Sequence, residues 1–154
     1  MGIIENSEID SQIKQLKDLD KSIVFTNGCF DLLHKGHIDL LNKASTFGDI
    51  LIVGLNSDNS VKTLKGEGRP FENEITRSKK LLEVSNVDFV IIFNDETPKD
   101  LITKIMPNVL VKGGDYKKND IVGSKEVISA GGEVKIVPLT EGFSTTSIIR
   151  SMKA

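Results

Sequence analysis

Five short runs rich in β-branched and other apolar residues recur along the chain, at 22–26, 50–55, 89–93, 109–112 and 134–138. Near-continuous apolar runs of this length suit strands covered on both faces rather than strands with one wet face. Between them lie segments whose apolar residues fall at helical spacing. Ile38, Leu40, Leu41 and Ala44 mark one, and Ile75, Leu81, Leu82 and Val84 another. Leu101, Ile102 and Ile105 mark a third, stopped by Pro107; Val127, Ile128 and Ala130 mark a fourth, stopped by Gly131-Gly132. Strand and helix alternate, which predicts βαβ units and a doubly wound, five-stranded parallel α/β sheet with helices on both faces. A further helix over residues 7–19 is expected on the outside of the sheet. Ser144-Thr145-Thr146, followed by Ile148-Ile149, predicts a last helix with hydroxyl residues at its start.

In such sheets ligands sit beyond the carboxyl ends of the strands, near the point where strand order reverses. The segments that follow the strands, at 27–31, 56–58, 94–95, 113–116 and 140–144, are all polar and are the places to look for chemistry. The chain has 154 residues, enough for one domain with a sizeable core, and no repeat or linker divides it, so a single domain over 1–154 is expected. A net charge of -2 gives no broad attraction to nucleic acid or to an anionic membrane. A bound anion must then be held by a local set of donors. The apolar runs are too short to span a bilayer, and the polar N-terminus has no signal-peptide pattern. Cys29 is the one cysteine, so no internal disulfide forms. A cytoplasmic protein is expected.

Both histidines, His34 and His37, fall in GCFDLLHKGHIDLL (residues 28–41), where the first strand should run into a helix. Three readings stand at this point. A zinc site needs three or four protein ligands, and no CxxC or HExxH accompanies the pair. Two histidines satisfied at a turn would be purely structural. A phosphate site has a direct mechanism: Gly28 for a tight turn, Gly36 for close backbone approach, the N-terminus of a helix, and imidazole N–H donors beside it. No GxxxxGK[ST] loop is present, and Gly66-Glu67-Gly68 lacks the third glycine of a dinucleotide fingerprint.

GCFDLLHKGH resembles the HxGH signature of the nucleotidylyltransferase superfamily, and EGFSTTSIIR (residues 141–150) resembles that superfamily's second phosphate-binding motif. More narrowly, VGLNSDNSVKTLKGEGRP, LVKGGDY and GSKEV…GGEV are similar to the adenylyltransferase domain that makes ADP-heptose from heptose 1-phosphate, here expected without the sugar kinase to which it is often fused. The resemblance runs from about residue 23 to residue 150. It implies a Rossmann-like fold and transfer of AMP from ATP to D-glycero-D-manno-heptose 1-phosphate. His34 and His37 would stabilise the nucleotide's phosphates in the transition state, with Lys65 against them and Lys62 as a neighbouring candidate. Ser144, Thr145 and Thr146 would grip the outer phosphates. Thr26, Asn27, Gly28, Cys29 and Phe30 would lie along the nucleotide, and Asp31 would orient a histidine or the loop. Gly36 belongs to the motif itself, and Gly113, Gly114 and Asp115 would border base and ribose. Lys62, Arg69 and Arg77 are the candidates for the acceptor's phosphate, since guanidinium forks suit phosphate geometry. Magnesium would accompany ATP, with no carboxylate motif to hold it. The partners implied are ATP and a sugar 1-phosphate, in a homodimer or larger homo-oligomer.

Two other functions share these motifs. A cytidylyltransferase acting on glycerol 3-phosphate has the same HxGH, but it usually carries an arginine where this chain has Leu139 and two acids where it has Gly114-Asp115. A regulatory module would keep the pocket and lose the activity, against which the intact His34, His37, Lys65 and Ser144 to Thr146 stand.

Overall fold

The computed structural model describes residues 2–114 and 116–138, which form a six-stranded, all-parallel sheet with helices on both faces. The strands are β1 (Gly2–Ile3), β2 (Ile23–Gly28), β3 (Ile50–Asn56), β4 (Phe89–Phe93), β5 (Val109–Gly113) and β6 (Glu133–Val137). The helices are α1 (Ile9–Asp18), α2 (Lys35–Ser45), α3 (Asp58–Lys65), α4 (Glu74–Glu83), α5 (Lys99–Ile105) and α6 (Ser124–Ser129). In space the strands run β1-β4-β3-β2-β5-β6. From β2 the chain lays β3 and β4 to one side, then returns to lay β5 and β6 on the other. The carboxyl ends of β2 and β5 therefore flank the point where strand order reverses.

The pleat sorts side chains into two cores. Ile23 and Phe25 of β2, Ile52 of β3 and Leu110 of β5 face α1, α5 and α6, whose Ile9, Ile13, Leu101, Ile102, Ile105 and Val127 cover them. Val24, Leu51, Val53, Leu55, Val90 and Val111 face the other way, under Leu40, Leu41 and Ala44 of α2 and Leu81 of α4. Each such side chain contributes about 1.5–3 kcal/mol by burial. Gly54 of β3 is needed on the first face: a Cβ there would stand 2.6 Å from the ring of Phe25 on the adjoining strand.

The predicted five-stranded sheet gains a sixth member, since Gly2 and Ile3 pair in parallel with Phe89 and Val90 at the edge. Two residues are too few to leave a periodic signal. Helix α3 was also absent from the expectation, because Val61 and Leu64 are its only large apolar residues. Its start is marked in the sequence all the same: Ser57 caps it, Oγ accepting from the Ser60 N–H at 3.2 Å. The expected helix after Ser144 lies outside the described residues. Among those described, no helix is long and apolar enough to cross a membrane.

Candidate active site

The chain leaves β2 through a strained turn into α2. Phe30 and Leu32 both adopt left-handed backbone (φ 46° and 54°), which costs a non-glycine residue about 1–2 kcal/mol each. Asp31 between them is 1% exposed and ties the turn down. Its Oδ2 accepts from the Phe71 N–H at 2.8 Å and from Arg69 Nε at 3.1 Å, and its Oδ1 from the Glu72 N–H at 3.0 Å. Glu72 answers by accepting the Leu32 N–H through Oε1 and pairing with Lys80 through Oε2. Asp31 thus fastens two loops together, the second of the roles expected for it. Gly28 has no unusual backbone; its missing Cβ makes room for the Phe30 ring, which would lie 3.0 Å away.

The two histidines close the start of α2 on themselves. His34 is the N-cap: its Nδ1 accepts the Gly36 N–H at 3.1 Å, while His37 Nδ1 accepts the His34 N–H at 3.2 Å. This is a capping box built from imidazoles. The rings stack with centroids 3.8 Å apart, and Phe30 meets His37 edge-on at 5.2 Å. The Gly36 and His34 N–H groups are therefore engaged within the protein, unlike the open helix start expected from the sequence. With Nδ1 of each neutral ring accepting from the main chain, the proton sits on Nε2, and each ring presents an N–H donor there.

Those rings line a cavity of about 640 Å³ at the carboxyl ends of the strands. Asn27, Gly28, Cys29, Phe30, Asp31, Gly36, Lys65 and Arg69 share its wall, so most expected site residues come together. Thr26 does not reach it. It is fully enclosed in the sheet, and its hydroxyl has no hydrogen-bond partner among the described residues. Gly113 ends β5 and Gly114 follows it, neither lining the cavity, and Gly114 donates its N–H to the Val137 carbonyl. Lys62 lies on a separate shallow pocket, 3.8 Å from Glu67 and largely in solvent. Asp115, Ser144, Thr145 and Thr146 lie outside the described residues.

Arg77 corrects the expectation most. Its side chain is fully buried, and its guanidinium donates to the carbonyls of Cys29 (2.8 Å), Asn56 (2.8 Å) and Glu72 (2.9 Å) and to the Asp58 carboxylate (2.7 Å). A guanidinium so enclosed is not a phosphate ligand. It joins the loops after β2 and β3 to the start of α3 and so sets where Lys65 and Arg69 stand. Sequence reasoning also passed over Lys112, Glu96, Thr97 and Pro98 as cavity residues. Lys112 carries a signal, as a lone cation at a strand's carboxyl end; its ammonium lies 5.3 Å from the Tyr116 ring.

Burial, and then the neighbouring His34, hold His37 down at about 4 against an ordinary 6.5, the Asp31 carboxylate offsetting part of this. Burial lowers His34 as well. Both rings are neutral donors at neutral pH. Burial pushes the Cys29 thiol up, over the opposing pull of Lys65, Arg77 and Arg69, which leaves it protonated and a poor nucleophile. The His37 shift has a measurable consequence. The unfolded chain takes up its proton as pH falls through about 6.5, while the folded ring resists until about 4, so stability drops across that window. The loss is at most about 3 kcal/mol. Urea midpoints between pH 7 and pH 4 measure it, and the slope should flatten in His37→Gln.

Comparison with known proteins places this arrangement. The bifunctional protein HldE of Vibrio cholerae serotype O1 (strain M66-2) is 49% identical over 152 residues, 99% of this chain and 32% of that protein. That of Koribacter versatilis is 51% identical over 147 residues, 96% of this chain and 30% of that protein. The chain spans about a third of the length of these curated relatives. Among solved structures, the lipopolysaccharide core biosynthesis protein from Thermoplasma volcanium shares the fold with a TM-score of 0.64 at 24% identity, covering 78% of this chain and 97% of that one. The pantoate-beta-alanine ligase from Francisella tularensis does so with 0.63 at 16%, covering 99% and 77%. Residues 25–151, which include the histidine-capped helix and the whole of its cavity, match the cytidylyltransferase-like family, and the chain belongs to it.

Proposed function

We propose that the chain transfers AMP from ATP to D-glycero-D-manno-heptose 1-phosphate, giving ADP-heptose and pyrophosphate. The observation that carries it is the pair of stacked, neutral imidazoles, fixed by the main chain and facing a cavity whose wall also holds Lys65 and Arg69. Such donors suit an anion that gains charge during reaction without themselves needing to change protonation. The choice of substrates rests on the motifs at 53–70 and 110–116 and on the identity to HldE.

In this reaction an oxygen of the sugar phosphate attacks the α-phosphorus in line, the bond from that phosphorus to the bridging oxygen breaks, and pyrophosphate leaves with the electron pair. Positioning and electrostatics do the work, and no covalent enzyme intermediate is needed. His34 and His37 donate from Nε2 to the reacting phosphates, Lys65 adds a mobile point charge, and Arg69 meets the acceptor's phosphate with the guanidinium N–H groups that Asp31 leaves over. Among the described residues no group of three or more His, Cys, Asp or Glu side chains is placed to hold a metal ion, and Asp31 is occupied by three donors. Magnesium accompanies ATP in this proposal, as MgATP. Ser144, Thr145 and Thr146 complete the grip on the outer phosphates, and Asp115 that on the ribose. Assembly as a homodimer or larger homo-oligomer belongs to the same proposal, with sedimentation as its check.

The test is a pyrophosphate-release matrix of ATP, CTP and GTP against heptose 1-phosphates of both anomers and glycerol 3-phosphate. Turnover is expected with ATP and a heptose 1-phosphate. Turnover confined to CTP and glycerol 3-phosphate would replace the substrates and keep the phosphate chemistry. Binding of nucleotide without turnover in any combination would make the chain a regulatory module.

A further inference from the structure

The cavity straddles the carboxyl edge of the sheet, and its two walls differ in chemistry. One wall, from α2 and the segment after β3, carries His34, His37, Lys65 and Arg69. The pleat sends the strand ends to the other wall. Asn27 follows Phe25, Asn56 follows Ile52 and Gly54, and Lys112 follows Leu110, all on the face covered by α5. The turn that leads into α5 brings Glu96 and Thr97 to this second wall. Beside the Lys112 ammonium it therefore offers two amides, a hydroxyl and a carboxylate, where the first wall offers Lys65, Arg69 and the imidazoles.

Glu96 is out of place in a cavity for polyanions. Of the two carboxylates that line the cavity among the described residues, Asp31 is taken up by main-chain N–H groups and Arg69. Glu96 is exposed and has no hydrogen-bond or ion-pair partner among the described residues. A carboxylate repels a phosphate at contact distance. It must then face a part of the ligand that is neutral and rich in hydroxyl donors, for which its two oxygens are paired acceptors.

Its position says which part. Along the strand order from β2 to β4, the histidines follow β2, Lys65 and Arg69 follow β3, and Glu96 follows β4. With the nucleotide's phosphates at the histidines and Lys65 and the acceptor's phosphate at Arg69, the acceptor's carbon chain is what extends to Glu96. We infer that Glu96 binds hydroxyl groups of that carbon chain and sets which polyol phosphate the cavity accepts, an inference that rests on the acceptor assignment proposed above.

The experiment compares the parent chain with Glu96→Gln and Glu96→Ala in pyrophosphate release, varying heptose 1-phosphate, mannose 1-phosphate (one hydroxymethylene shorter), ATP and magnesium in turn. The site is exposed, so thermal melting should be unchanged. Losing hydrogen bonds to substrate hydroxyls should raise KM for heptose 1-phosphate about tenfold or more in the alanine variant. KM for ATP should stay within about twofold, and the preference for the heptose over the hexose should shrink towards none. A rise in KM for ATP would put Glu96 at the ribose, and a higher magnesium requirement would put it at the metal; either overturns the inference. So does an unchanged preference for heptose over hexose. A parent chain inactive with both sugar phosphates would instead overturn the proposed function, and this inference with it.

Discussion

Replacing Arg77 by methionine should lower unfolding stability by about 3–5 kcal/mol, the usual cost of removing one partner from a buried, hydrogen-bonded charge. Methionine fills a similar volume, so the loss comes from the groups left behind. The carbonyls of Cys29, Asn56 and Glu72 would lose their donor and face a thioether. Asp58, 40% exposed, could turn to solvent. Against a typical domain stability of about 5–15 kcal/mol, the variant should sit close to unfolding at room temperature, read by urea denaturation. Arg77→Lys keeps the charge but cannot reach four acceptors on three loops, and it should recover only a minor part. A loss below about 1 kcal/mol in the methionine variant would mean that those loops hold their places without the guanidinium.

The second large effect is on turnover. His37→Ala should slow the proposed AMP transfer by roughly 10²–10³-fold, the range for losing one fixed donor to a reacting oxyanion. Alanine removes two things at once, the Nε2 donor and the acceptor for the His34 N–H. His37→Gln separates them, because glutamine three residues after an N-cap is an ordinary partner in a capping box. The glutamine variant should keep the stability of the helix start yet lose turnover nearly as the alanine variant does. Recovery of most of the turnover in His37→Gln would show that His37 acts by holding the loop.

Five of the six strands and five of the six helices were legible because each carries its own local pattern, and the histidine motif was legible because its residues are neighbours in sequence. What stayed hidden depends on contacts across distance. Asp31 finds its partners at Arg69, Phe71 and Glu72, and Arg77 finds Cys29 some forty-eight residues away, which no local pattern announces. An arginine that reads as a phosphate ligand on a charged helix is, once folded, a buried joint. Lys62 and Lys65 are alike in sequence; only the packing of α3 sends one to the cavity and leaves the other beside Glu67. Glu96 was overlooked for a related reason: a carboxylate in a polar turn becomes unusual only when the cavity around it is seen to be built for anions.

The strand order also governs when the site comes into being. β2 pairs with β3, its next strand in sequence, but its other edge waits for β5, whose anchoring contact from Asn108 to the Ile23 N–H joins residues 85 apart. Closing so long a loop carries an entropic cost that near-neighbour pairings avoid, and pairings of this kind form slowly. During synthesis the histidine turn is therefore complete long before the strand that frames its cavity has been made. The nascent first half has a capped helix and no pocket, and nucleotide binding should arise as a late, all-or-none event in folding.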